Sequence, residues 1–517
     1  MHVADFAGKR FAPSARTWGV VQRIGRTERP LAGLTAALFV ILAACAIERA
    51  AGWTYGADTG TFVQLILDVP RGMHDALEGG THFRYHDSPT LVLLWPLLAL
   101  VPHALTLQLV QIVATLSTGP LLAMLIRPYT GAALAARLGI LAVLYPPLLS
   151  LGFNEFHEVG ILSPLVVAFV LAADRRAWGW FAVCTVLLLG IREDVCLEVA
   201  IAGITFALVG SPAGKSRALA LAGGIAAVAG LAVDAVYYGI VTPALGGWAP
   251  SHFYVYPFAS GPLALLLAPF THPLALAVAI LTLGRLTYLL EAFAPLAFLP
   301  LRSRWSLLAI PGFAIVLLAN TGLVWRMGMH YSALWIPWLL IGTAFGVHRI
   351  AQRSERMAAR WLTIAIGISV VVLVAFNPMH PAHYLTPNYH ALGDARRALA
   401  CVPTGAPFST HDEWYSAVAA ERPEANVGMT DGIAYLVYAD DFDNAGFVAH
   451  TVPLLHANVV DGRYRIVCTF GAVHTYERVA ATSARADTRR SQPRHRRGTG
   501  SAASVDARWN RRATSSS

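Results

Sequence analysis

Residues 29–58 read RPLAGLTAALFVILAACAIERAAGWTYGAD. The apolar block 31–50 is long enough to cross a hydrocarbon layer of roughly 30 Å as one helix. Ahead of it stand Lys9, Arg10, Arg16, Arg23, Arg26 and Arg29. No convincing cleavage site follows, so the block reads as a signal anchor with its basic flank inside. Behind it come Trp53 and Tyr55, then Asp58. A crossing that ends in aromatic residues thus delivers a carboxylate to the far surface.

Outward from that block the pattern repeats. Of the 517 residues 56% are hydrophobic and only 13% are charged, with a mean hydropathy of +0.53. An ordinary soluble domain carries about 25% charged residues. Soluble nucleotide-binding, barrel and bundle enzymes are therefore excluded, and so is a disordered scaffold. Further apolar blocks run over about 105–126, 131–150, 158–173, 177–191, 195–210, 218–241, 272–300, 305–322, 332–348 and 361–377. The expected fold is an all-α polytopic membrane protein of eleven spans. PTLVLLWPLLALVP (89–102) is short and bounded by prolines, which suits an interfacial or re-entrant helix better than a crossing.

Charge placement supports that count. With the N-terminus inside, the inner segments up to residue 360 hold eighteen Lys and Arg and the outer loops only Arg71, Arg84, Arg192 and Arg326, as the positive-inside rule requires. The expected layout is a cytoplasmic segment 1–30, a membrane domain 31–377, an extracytoplasmic α/β domain 378–480 and a tail 481–517. Much of the net charge of +9 comes from nine arginines in that Ser/Arg-rich tail. Its composition predicts disorder; a plain solvated tail is the first reading and contact with anionic lipid or cell-wall polymers the alternative, and it does not read as a nucleic-acid arm. APFST, IAYLVYA and RYRIVCTF are strand-like runs in the α/β domain. Cys401 and Cys468 fall in the same domain and are candidates to pair in an oxidising compartment.

The unusual polar residues gather in the outer loops. The first loop holds Asp58, Gln64 and His86; GFNEFHEVG holds Glu155, His157 and Glu158; IREDV holds Arg192, Glu193 and Asp194. A longer loop carries His252, Tyr254 and Tyr256, and WRMGMHYSA carries Arg326, His330 and Tyr331. Such groups are costly beside lipid and tend to line a hydrated cavity. Simpler readings stand next to this one. Asp87 and Glu158 suit helix caps, and IREDV suits a hairpin with a local ion pair. Arg285, inside a span, lies six residues from Glu291 and so on another helical face; a buried arginine near an outer cavity suits a phosphate group.

Five short motifs in order, DTGTFVQ (58–64), HDSP (86–89), EFHE (155–158), REDV (192–195) and HYSA (330–333), resemble the bacterial membrane-protein family known as domain of unknown function 2079 (DUF2079). The resemblance covers about residues 35–475. Thr59 and the pair Asn154-Glu155 depart from its pattern. The family is similar in layout to the GT-C glycosyltransferases, which implies a polyprenyl-phosphate sugar donor and transfer at the outer face of the bilayer.

Carried over by position, Asp58 is the general base or acceptor-orienting carboxylate. Glu155 with His157 forms the second-loop site, and Glu193 and Asp194 give polar support. Gln64, His86, Arg192, Arg285, Arg326, His330 and Tyr331 are the substrate-facing candidates. The acceptor is unassigned. No cofactor is assigned; the acidic cluster admits a divalent metal, but no ligand spacing demands one. A transporter or flippase of lipid-linked glycans and a non-catalytic envelope protein are the rival readings. The first calls for polar residues continuing through the spans, where charge is sparse, as at Asp234, Arg285 and Glu291.

Overall fold

The computed structural model describes residues 27–75, 79–247, 262–320, 322, 324–377, 379–385, 389–428, 432–440 and 451–479. The expectations for the 481–517 tail and for His252, Tyr254 and Tyr256 lie outside them. The first apolar block forms helix α1 (Arg29–Ala51), with Pro30 in its first turn and Gly52 at its end. Of its residues only Leu31, Leu42, Ala46 and Arg49 are buried. The rest present an apolar surface suited to lipid.

Among the described residues, four helices are long and apolar enough to cross a membrane: Arg29–Ala51, Ala104–Val143, Arg217–Ala244 and Glu355–Ala375. A fifth arises if the pair Pro273–Ile280 and Leu283–Leu296, bent by 67°, counts as one. This corrects the expectation of eleven spans, and the physical reason is breakage of the apolar blocks. Those at 158–173, 177–191, 195–210 and 332–348 form helices of only 12 to 16 residues, and 16 residues extend about 24 Å. Two other blocks, 105–126 and 131–150, largely merge into α3 (Ala104–Val143). That helix turns back on itself at Gly131, where φ is 77° and ψ 168°. Gly119 then meets Gly139 so closely that a Cβ on the former would stand 2.7 Å from the latter's carbonyl oxygen. Residues 89–102 give a 3-10 turn and a short helix, Trp95–Leu100, with Leu93, Leu97 and Leu100 exposed.

Near the C-terminal end lies a five-stranded sheet of order β2-β1-β3-β5-β4. Strands β1 (Phe408–Thr410), β3 (Tyr435–Ala439) and β4 (Tyr464–Phe470) fall on the three strand-like runs; β2 (Ala425–Val427) and β5 (Val473–Arg478) do not. The order mixes parallel pairs, β1 with β2 and β3, and antiparallel pairs, β5 with β3 and β4. Cys401 and Cys468 are joined as a disulfide.

Helix α2 (Ala57–Leu67) connects this sheet to the helical body. Its Phe62, Val63, Leu65 and Ile66 share one buried cluster with Leu399, Phe408, Trp414 and Tyr415. Gly60 of α2 has room for no Cβ against Tyr415 and the Ser416 backbone. The helix that carries Asp58 is therefore packed from both sides.

Candidate active site

Helix α2 starts from Gly56 in extended conformation, with no side-chain cap of its own. Glu155 supplies one from another loop: its Oε2 accepts the Thr59 N–H at 3.4 Å. In return, Thr59 Oγ1 accepts the Phe156 N–H at 3.2 Å. A Cβ at Gly56 would meet Glu155 Oε1, the far end of a flexible side chain, so a larger residue there would push that carboxylate aside. The two-way clasp sets Asp58, in the first turn, beside Glu155. Burial, helped by the neighbouring Asp58 charge, pushes the Glu155 carboxyl up to about 8.

The second loop is held by α3. Gln111 Nε2 donates to the carbonyls of Leu151 and Glu155 at 2.5 and 2.9 Å, and its Oε1 accepts the His157 N–H at 2.9 Å. Arg49, at the end of α1, donates to Phe153 O at 2.6 Å and Thr54 O at 2.9 Å. Its guanidinium lies 4.3 Å from the centre of the Tyr55 ring.

His330 reaches the same place from a distant loop. Its ring stacks on that of His157 with centroids 3.5 Å apart and planes at 18°. Burial, which outweighs the neighbouring Glu158, lowers the His157 pKa. Burial and the nearby His157 and Arg192 hold that of His330 far below the ordinary histidine value. Asp58, His157 and His330 each bring a donor atom to within 4.8 Å of the others. On its far side, His157 Nδ1 lies 2.5 Å from Glu158 Oε2. These groups border a hollow of about 710 Å³, counting its open mouth, whose walls also include Arg49, Glu155, Arg326 and His380.

The sequence profile of a family described as predicted membrane protein (DUF2079) matches residues 54–427. The chain belongs to this family. No curated protein matches it significantly. Among solved structures it is similar to ArnT from Cupriavidus metallidurans bound to undecaprenyl phosphate, at 13% identity and TM-score 0.48, over 86% of this chain and 98% of that one. It is also similar to the Archaeoglobus fulgidus oligosaccharyltransferase tethered with an acceptor peptide, at 12% identity and TM-score 0.42, over 86% and 74%.

Other candidates in this DUF2079 protein have structural partners. Gln64 points to the sheet, donating to Ala425 O at 3.1 Å and accepting from the Tyr415 hydroxyl at 2.9 Å. Arg192 is held by both oxygens of Asp194 and by Glu158, at 2.6 to 3.4 Å, and lies 5.9 Å from the Tyr331 ring centre. Glu193 accepts from the Asp87 N–H and pairs with His86 Nδ1, each at 3.0 Å. Burial works against a charged His86, but Glu193 prevails and raises it to about 9. Arg285 donates to Ala279 O and Ala319 O at 2.5 and 2.7 Å and lies 5.3 Å from the Trp325 ring centre. It thus ties the bend between Pro273–Ile280 and Leu283–Phe293 to residue 319.

Arg49, Gln111 and His380 were not read from the sequence as part of the site. Arg49 carried a signal, since an arginine in the last turn of an apolar block needs a reason to be there. Gln111 and His380 carried none that distinguishes them from other polar residues.

Proposed function

We propose that the protein is a membrane glycosyltransferase that moves a sugar from a polyprenyl-phosphate donor to an acceptor hydroxyl at the outer face of the bilayer. The observation that carries this reading is the hollow whose lining brings Asp58 together with the imidazoles of His157 and His330 and the guanidinium groups of Arg49 and Arg326. With Glu155 raised to about 8, its carboxyl holds its proton near neutral pH, and the role of base falls to Asp58. The acceptor oxygen attacks the anomeric carbon and Asp58 takes its proton. The bond from that carbon to the phosphate oxygen breaks, and the phosphate leaves with the electron pair. Arg326 and Arg49 offset the charge it gains. The Cys401–Cys468 disulfide supports placing the sheet on an oxidising side.

Asp58, His157 and His330 also fit a divalent cation. One carboxylate and two neutral imidazoles suit a borderline transition-metal ion or zinc, and Glu158 stands where it can orient the His157 ring. A cation held there supplies positive charge next to a phosphate oxygen.

The test is turnover of short-chain polyprenyl-phosphate sugars by purified protein, wild type beside Asp58→Asn. Turnover is expected to fall by about 10²–10⁴ in the variant, with donor binding kept. Full turnover by the variant would remove Asp58 from the chemistry. A wild type that binds no lipid-linked sugar would remove the function.

A further inference from the structure

A second, shallow hollow, of about 290 Å³ counting its open mouth, lies where the end of α1, the start of α3 and helix α4 (Asp412–Val418, beside the sheet) meet. Trp53, Tyr55, His103, Glu413 and Ser416 line it. The Arg49–Tyr55 stack, at 4.3 Å, joins it to the first hollow, because Arg49 lines one and Tyr55 the other.

Its polar groups face inward with little to hold. Ser416 is 2% exposed, and its hydroxyl has no hydrogen-bond partner among the described residues. A buried hydroxyl left without one is destabilising by about 1–3 kcal/mol, so a ligand that pairs with it recovers that loss. The Glu413 carboxyl likewise has no hydrogen bond or ion pair among the described residues. Burial and the nearby Asp412 and Glu155 carboxylates push it up to about 7, so near neutrality it both donates and accepts. His103 Nδ1 accepts the Leu105 N–H at 3.0 Å, which leaves its Nε2 as the donor. Trp53 holds a left-handed backbone, φ 53°. An aromatic residue there carries about 1–3 kcal/mol of strain, of a kind that gathers at ligand sites.

An apolar ligand would leave Ser416 unpaired, and an anion would face Glu413 and Asp412. A hydroxyl, a carboxyl that serves as donor and acceptor, an imidazole N–H and an aromatic wall together suit the hydroxyls and apolar face of a neutral sugar ring. We infer that this hollow is a sugar-binding subsite, holding a neutral sugar ring of the acceptor beside the reacting position. The inference rests on the transferase reading for its place in the reaction, but not for the binding itself.

Saturation-transfer NMR on the full-length protein tests it. The probes are methyl glycosides of mannose, galactose, arabinose and N-acetylglucosamine, with no lipid donor present. At least one is expected to bind, and Glu413→Gln and Ser416→Ala should each weaken it about tenfold. The Ser416 hydroxyl has no described partner to lose, so Ser416→Ala should keep or raise the thermal midpoint, which separates lost contact from lost fold. Binding of no glycoside, or binding unchanged in Ser416→Ala and Glu413→Gln, overturns the subsite. Sugar binding that follows this pattern in a protein without lipid-donor turnover would support the subsite and overturn the transferase reading alone.

Discussion

Two neighbouring regions on the candidate-site side of the molecule handle their charges in opposite ways. Around Arg192, three acids meet bases: Asp194 and Glu158 on the guanidinium, Glu193 on His86. In the hollow a few residues away, like stands beside like. His157 stacks on His330, and Asp58 crowds Glu155. Paired opposites satisfy each other and make a frame. Crowded like groups are costly by themselves and are relieved by something from outside, such as a proton, a cation or a charged substrate. The contrast separates the residues that hold the site from those that serve it.

Several changes would sharpen or break this contrast. Beyond Asp58→Asn, the largest expected effect is that of Arg192→Met, which leaves Glu158 and Asp194 without their cation. Thermal or denaturant unfolding should show a loss of about 3–5 kcal/mol; an unchanged stability would mean the frame is not a frame. Next come His157→Ala and His330→Ala. Calorimetric titration with Zn²⁺ or Mn²⁺ should find one site in the wild type, weakened by about 10–100-fold or more in either variant. Equal affinity in all three proteins would dismiss the donor set.

Gly56→Ala should push the Glu155 carboxylate off the start of α2 and loosen the hold on Asp58. Turnover is expected to fall by about 10–100-fold with little change in thermal midpoint, and unchanged turnover would separate the Glu155 clasp from the chemistry.

The smallest effect is on pH dependence. Glu193, Asp87, Glu158, Arg192 and His82 surround His86, and Glu193 raises it from the unfolded value of about 6.5 to about 9. Its folded form therefore holds a proton that the unfolded chain releases. The stabilisation is complete below about pH 6.5 and is lost as pH rises through about 9. Across that window the thermal midpoint of the wild type should fall more steeply than that of His86→Gln. Parallel slopes would exclude the pair as a source of stability.

The fold was legible where a local rule governs it. Block 31–50, with its basic flank, became α1, and FST, YLVYA and YRIVCTF became strands at the expected places. The number of long helices was not legible. Hydropathy reads a proline- or glycine-broken block as one apolar run, whereas Gly131 turns α3 back and Pro146 and Pro147 start a separate short helix. The site was partly legible. Asp58, Glu155, His157, Arg326 and His330 were singled out as polar residues at loop ends, and all line the first hollow. Gln64 and Arg285 looked equally exceptional, yet they bond to backbone elsewhere.

The sequence by itself determined that this chain belongs with a bilayer, where its polar loops fall and which residues compete for a role. Composition and periodicity govern those properties, because they depend on what each segment buries. The tertiary structure decided which competitors meet. The stack of His157 on His330, the Glu155 cap on α2 and the Cys401–Cys468 bond each join residues far apart in the chain. The cap depends on α2 being gripped between the helical body and the sheet, and all three depend on contacts between distant surfaces that no local pattern encodes.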